Sequence, residues 1–240
     1  MRSWQIKPFG DRALLIRISG PLNLEANQFV HQLWAEIQQL PLENLHYGIP
    51  SNLDLTLVFN RPIDLPPIRQ QLEQRIQNVL DHPISTFGKR LRIPVCYDPR
   101  LGLDLMELST RLQLSPDRLI KLHQSQAYQV FSMGFLPGFA YLGLLPDALQ
   151  VPRKAAPRSN VPKGSVAIAA QQTGIYPQAS PGGWHIIGQT PVPVFNPEWH
   201  DPFLFAPGDQ VQFEAIEFSS FLEIAKQVEI STFKWSSLYA

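Results

Sequence analysis

Proline accounts for 23 of the 240 residues, about twice its usual share, and it narrows the possible folds more than any other residue type. Its ring fixes φ and leaves no backbone N–H, so it is excluded from helix interiors and from the middle of a sheet. Many of these prolines are interleaved with aromatic and β-branched residues, which points to stiff loops joining short strands. Two stretches sharpen the point: FSMGFLPGFAYLG at 131–143 and SPGGWHIIG at 180–188. Glycine there permits backbone conformations or close approaches that a side chain would forbid. Each stretch is therefore either a rigid corner or the wall of a site.

The first third of the chain reads differently. Ala13-Leu14-Leu15-Ile16-Arg17-Ile18 is strand-like, and Leu55, Leu57 and Phe59 alternate with Asp54, Thr56 and Val58 in a second strand. Between them Phe29, Val30, Leu33, Trp34, Ile37 and Leu40 recur at helical spacing, with Asn23 available as N-cap. A second helix follows Pro66-Pro67, with Ile68, Leu72, Ile76, Val79 and Leu80 on its apolar face, and ends at Asp81-His82-Pro83. This order predicts an α+β N-terminal domain over 1–88, closed by a linker at Thr86-Phe87-Gly88-Lys89.

A second domain is expected over 89–240. It opens with the strand-like Leu91-Arg92-Ile93-Pro94-Val95-Cys96 and a helical pair, the second member starting at Ser115-Pro116. Short strands follow at Ser165–Ala169, His185-Ile186-Ile187 and Gln210-Val211-Gln212-Phe213, a rhythm that predicts a β-barrel or sandwich. A last helix is expected from the capping box Ser220-Phe221-Leu222-Glu223.

Composition excludes several functions. Lys plus Arg and Asp plus Glu number 20 each, so the basic excess of a nucleic-acid binder is missing. The helical pair at 103–124 superficially resembles a helix-turn-helix, but its second helix offers few base-reading or phosphate-contacting side chains, so a packed helical hairpin is expected. The start MRSWQIKPFGDR has no apolar signal region and no run reaches about 18 apolar residues; a cytoplasmic protein without membrane contact is the expectation. Cys96 is the only cysteine and the six histidines lack ligand spacing, so no metal site is expected. Lys163-Gly164-Ser165 is not a phosphate-binding loop, which needs Gly-x-x-x-x-Gly-Lys-Ser/Thr.

The stretch 151–165 places Arg153, Lys154, Arg158 and Lys163 in a proline-stiffened loop. A fixed guanidinium suits a carboxylate or phosphate, although such arginines also pair with a protein's own carboxylates. Gln171–Pro177 and Ser180–His185 add amide, hydroxyl, phenol and indole groups near tight turns, the neutral partners that a small amide would need.

Gly134-Phe135-Leu136-Pro137-Gly138-Phe139-Ala140-Tyr141-Leu142, Pro152-Arg153, Pro157-Arg158, Val161-Pro162-Lys163-Gly164-Ser165, Gln172-Thr173-Gly174-Ile175-Tyr176-Pro177, Ser180-Pro181-Gly182-Gly183-Trp184 and Gly188-Gln189-Thr190-Pro191 together resemble the signature of the bacterial 5-oxoprolinase B-subunit family. This family is also labelled allophanate hydrolase subunit 1 or KipI-like. The resemblance implies an α+β N-terminal domain followed by a cyclophilin-like β-barrel. It implies a non-autonomous component that works with the A and C subunits of 5-oxoprolinase to open 5-oxoproline to L-glutamate with hydrolysis of ATP. An inhibitor of a histidine kinase, or a component acting on allophanate or urea, is the alternative within the family. Carried onto this chain, Arg153 and Arg158 would orient a carboxylate or phosphate, and Gln172, Thr173 and Tyr176 would hydrogen-bond the ring amide. Phe135, Tyr141 and Trp184 would be walls, with Gly182 and Gly183 presenting backbone N–H groups. The chain departs from the family pattern at Leu144 and Ala170, where glycine is usual, and at Gln189 and Gln210, where arginine is common.

Overall fold

The computed structural model describes residues 3–82 and 88–239. The chain divides into two compact units, one running to residue 86 and the other from residue 87. The first carries β1 (Trp4–Pro8), β2 (Ala13–Ile18), α1 (Leu24–Gln39), β3 (Leu45–Pro50), β4 (Asp54–Phe59) and α2 (Leu65–Asp81). Its sheet has the order β1-β2-β4-β3, antiparallel throughout. The alternation at β2 and β4 buries Leu14, Ile16, Leu55, Leu57 and Phe59 against Phe29, Leu33 and Ile37 of α1 and Leu72 and Ile76 of α2. Asn23 caps α1, its side chain accepting the Ala26 N–H at 2.8 Å. Leu40 leaves the expected apolar face: it is the C-cap, where the chain turns out of the helix, and it is 64% exposed. Pro66 and Pro67 lie inside the first turn of α2, where their missing N–H groups cost nothing. His82 caps its end, and Pro83 lies outside the described residues.

The second unit opens with β5 (Arg90–Val95), followed by α3 (Leu105–Leu112), α4 (Pro116–His123), β6 (Tyr128–Met133) and β7 (Ala140–Gly143). Then come β8 (Arg158–Val161), β9 (Ser165–Ala169), β10 (Gln172–Ile175), β11 (Ser180–Gly182), β12 (His185–Gln189), β13 (Gln210–Ala215) and α5 (Phe218–Glu229). Seven strands form one sheet in the order β12-β9-β10-β7-β6-β13-β5, with β8 and β11 as a separate ribbon. Only the β13–β5 pair of the large sheet is parallel. Its two edges return to each other where Cys96 and Gln189 exchange backbone hydrogen bonds of 2.9 and 3.0 Å. The sheet is thereby a nearly closed barrel, and Cys96 is a buried free thiol at its seam.

Inside lie Val130, Leu142, Val166, Ile168, Ile187, Val211 and Phe213. The helical pair packs Leu105, Leu108 and Leu119 onto this core, so its apolar faces belong to the fold. Of the linker expected at 86–89, Thr86 and Phe87 lie outside the described residues; Gly88 bonds to the Gly208 carbonyl and Lys89 N–H to the Asp209 carboxylate. The last helix starts two residues before the expected capping box. Phe218 stacks near Phe221 and lies under the Arg100 guanidinium, 3.5 Å from its ring centroid, which anchors the first turn before Ser220. Gln210 Oε1 accepts hydrogen bonds from Nε and Nη2 of Arg90.

A polar relay crosses the core. His123 receives the Tyr97 hydroxyl on Nδ1 at 2.8 Å and faces Thr173 Oγ1 through Nε2 at 2.9 Å, while Thr173 donates to the Ala167 carbonyl at 3.1 Å. With the Thr173 proton committed to Ala167, the consistent tautomer carries its proton on Nε2. Phe213 stacks on the imidazole, centroid to centroid 4.5 Å. Burial holds the His123 pKa down at about 3, whereas an unfolded histidine titrates near 6.5. Only the unfolded chain takes up this proton between those values, so the resulting stability is fully present above about pH 6.5 and declines as pH falls. From pH 7 to pH 5 the wild type should lose about 2 kcal/mol more than His123→Gln does, read by urea unfolding of both proteins at the two pH values. Equal losses would remove His123 from the pH dependence.

Candidate functional site

The hairpin from β6 to β7 turns through Gly134–Gly138, with Met133 paired to Ala140. Gly138 has φ of +84°, and a Cβ there would collide with Phe195. Phe135 adopts φ of +69°, uncommon for an aromatic residue, and is 61% exposed. Such strain at an exposed aromatic is a reason to look for function around it.

The turn delivers Phe139 into a cluster of rings. Its centroid lies 5.6 Å from Phe135, 5.0 Å from Tyr141, 5.3 Å from Tyr176 and 5.5 Å from Trp184, with interplanar angles from 65° to 90°. Edge-to-face pairs of this kind each contribute about 0.5–1.5 kcal/mol beyond burial. The cluster can sit on the outside of the barrel because β9 shows it only Ala167 and Ala169. Gly182 is required where it stands, since a Cβ would overlap the Tyr176 phenol.

Between these rings and the 152–158 loop is a cavity of about 210 Å³. Seven of the ten residues expected at the site line it: Phe135, Tyr141, Arg153, Tyr176, Gly182, Gly183 and Trp184. Phe139, Pro157 and Pro181 complete the lining. Burial raises the phenol pKa of both Tyr141 and Tyr176, against the pull of the Arg153 charge on each. The two phenols therefore remain neutral donors at ordinary pH. Among the described residues Arg153 has no ion pair or hydrogen bond, so its charge is free for a ligand.

Three expected residues lie elsewhere. Arg158 points its Nη2 at the buried Asp104 carboxylate, 2.6 Å away. Thr173 is buried in the His123 relay. Gln172 opens β10 opposite Gly143 and Ala169. Phe139, the centre of the ring cluster, was visible in the 131–143 motif but not separable from its neighbours. Asp104 carried no signal, because its partners lie 50, 54 and 82 residues along the chain.

The arrangement can bind a small, flat, anionic molecule. Rings exclude water, phenols donate hydrogen bonds and one guanidinium meets a negative charge. At about 210 Å³ the cavity is smaller than the ~300–1,000 Å³ usual for drug-sized ligands. Among the described residues no group of His, Cys, Asp and Glu has the arrangement of a metal site, and no helix is long and apolar enough to cross a membrane.

A family model described as the carboxyltransferase domain, subdomain C and D, matches residues 4–205. The 5-oxoprolinase B subunit of Bacillus subtilis (strain 168) is 36% identical over 225 residues, covering 89% of this chain and 93% of that protein. The chain belongs to the 5-oxoprolinase B-subunit family. A second member, from Haemophilus influenzae, is 38% identical over 216 residues, covering 88% of this chain and 99% of its own. Among solved structures, TTHA0988 is 36% identical with a TM-score of 0.71; the match covers 86% of this chain and 40% of that one. The Kluyveromyces lactis urea carboxylase, 16% identical, matches 96% of this chain and 23% of its own with a TM-score of 0.76, a likeness of fold.

Adding a methyl group at the ring cluster tests its packing. Gly182→Ala should destabilise the second unit by about 1–3 kcal/mol, because the added Cβ would overlap the Tyr176 phenol and push the ring out of its packing against Phe139; thermal unfolding of the variant against the wild type measures it.

Proposed function

We propose that this chain is the B subunit of an ATP-dependent 5-oxoprolinase, and that its aromatic cavity receives 5-oxoproline. The observation that carries this reading is the free Arg153 guanidinium at the edge of a small ring-walled cavity. 5-Oxoproline is a flat lactam bearing one carboxylate, which matches one cation, two neutral phenols and a set of ring faces. The names of the relatives support the same substrate.

In this reading Arg153 pairs with the substrate carboxylate and fixes the ring's orientation. Tyr141 and Tyr176 donate hydrogen bonds to the lactam group, and Phe135, Phe139 and Trp184 hold the ring plane and keep water out. The second unit is a cyclophilin-like barrel that carries this site, and the complex works in the cytoplasm. Opening a stable amide requires activation, and we assign that task to ATP bound by the A or C subunits. The cavity does not fit the nucleotide: it is smaller than the usual drug-sized pocket, and no glycine-rich phosphate loop is present in the sequence. The partner proteins would then complete the site on the side of the exposed Phe135.

Glutamate and ADP formation from 5-oxoproline plus ATP should occur with the copurified A, B and C subunits and not with this chain alone. In that complex Arg153→Ala should raise KM for 5-oxoproline about 10- to 100-fold, the weight of one charge-assisted contact. A stable complex without turnover, or an unchanged KM, would sink the reading.

A further inference from the structure

Three cations stand in the loop that walls the cavity, and two of them end on one carboxylate. Lys154 Nζ and Arg158 Nη2 lie 2.8 and 2.6 Å from Oδ1 of Asp104, which is 1% exposed. The other oxygen of Asp104 accepts the Ile186 N–H at 2.8 Å, and the Asp104 N–H donates to the Ile186 carbonyl at 2.8 Å. Asp104 is the N-cap of α3, yet its side chain makes no capping bond to its own helix, the role aspartate usually plays there. Its carboxylate is directed to the loop and to β12 instead. Burial opposes its charge, but the Lys154 hydrogen bond, the Ile186 N–H and the Arg158 charge outweigh burial and hold the carboxyl below its usual range.

The backbone on either side of Arg153 is tied as well. The Lys154 N–H donates to the Gly183 carbonyl at 2.8 Å, and the His185 ring nitrogen Nε2 meets the Pro152 carbonyl at 3.0 Å. Among the described residues Arg153 is thus the one cation of the three left without a partner, between two residues that are held.

We propose that Asp104 is a positioning residue for the anion site: by anchoring Lys154 and Arg158 it fixes the loop so that Arg153 alone presents its guanidinium to the ligand. This rests on the Arg153 reading given above. A carboxylate bound by Arg153 would then be sensitive to a residue it never touches, because a small misplacement of the cation weakens the contact steeply.

The test uses the copurified complex carrying Asp104→Asn, Arg153→Ala or both. Asp104→Asn should raise KM for 5-oxoproline about 10-fold and change kcat by less than about 2-fold. The double variant should be no worse than Arg153→Ala alone, since both act on one contact. Should Asp104→Asn fail to assemble, Lys154→Met removes one anchor and should raise KM about 3-fold. Multiplying KM effects in the double variant, or a fall in kcat at constant KM, would overturn the positioning role while leaving Arg153 in place. An unchanged KM in Arg153→Ala would overturn both readings.

Discussion

Everything in the second unit is organised by the burial of β9 on both faces. Each of its five residues is buried, a pattern expected of a strand covered on two sides. Val166 and Ile168 point into the barrel with Val130, Leu142 and Val211, while Ala167 and Ala169 face the ring cluster of Phe139, Tyr176 and Trp184. The small side chains on the outer face decide where the cavity can be. A larger residue at either alanine would occupy the space that the rings fill, and the inner residues could not compensate because they belong to another core.

Closure of the barrel depends on a modest device. The edges β5 and β12 exchange two backbone bonds at Cys96 and Gln189, and the Gln189 side chain also donates to the Lys163 carbonyl at 2.6 Å. A neutral amide thus holds the loop at this seam. At Ala170 the chain takes φ of +50°, a region that favours glycine, at a strain of about 1–2 kcal/mol. The exchange of hydrogen bonds between Ala170 and Val151 keeps the turn in place.

What could be read in the sequence follows from how local each signal is. Asn23 and Ser115 were legible as caps because a cap bonds within three residues, and β2 and β4 because alternation needs only one buried face. The edge strands β1 and β3 were missed: their neighbours lie on one side only, and residues such as Gln5, Lys7, His46 and Tyr47 face solvent. β7 and β10 escaped because each is four residues long and holds a glycine. Aromatics set against glycine are legible as the lining of a cavity, since a close approach requires that pairing. Residue type alone could not separate Arg153 from Arg158. The difference between them is a carboxylate delivered from the start of α3, and no local pattern records a partner 54 residues away.

The same contrast gives the three cations of the loop different roles: two are spent on the fold and one is not. An arginine left free on a flexible loop would lose side-chain and backbone freedom each time it bound, and that cost would weaken the contact. Here Lys154 and Arg158 are already committed to a buried charge, so the backbone share of that ordering is made within the chain and only the exposed Arg153 side chain remains to be ordered. Phe135 is the opposite case: exposed, strained and in contact with Phe139 and Tyr176 only by its edge geometry. One side of the cavity is therefore rigid within this chain, and the other ends in an aromatic ring facing outward. A rigid wall with a cation and an apolar lip leave the enclosure incomplete, and a surface that covers Phe135 is what would exclude the remaining water.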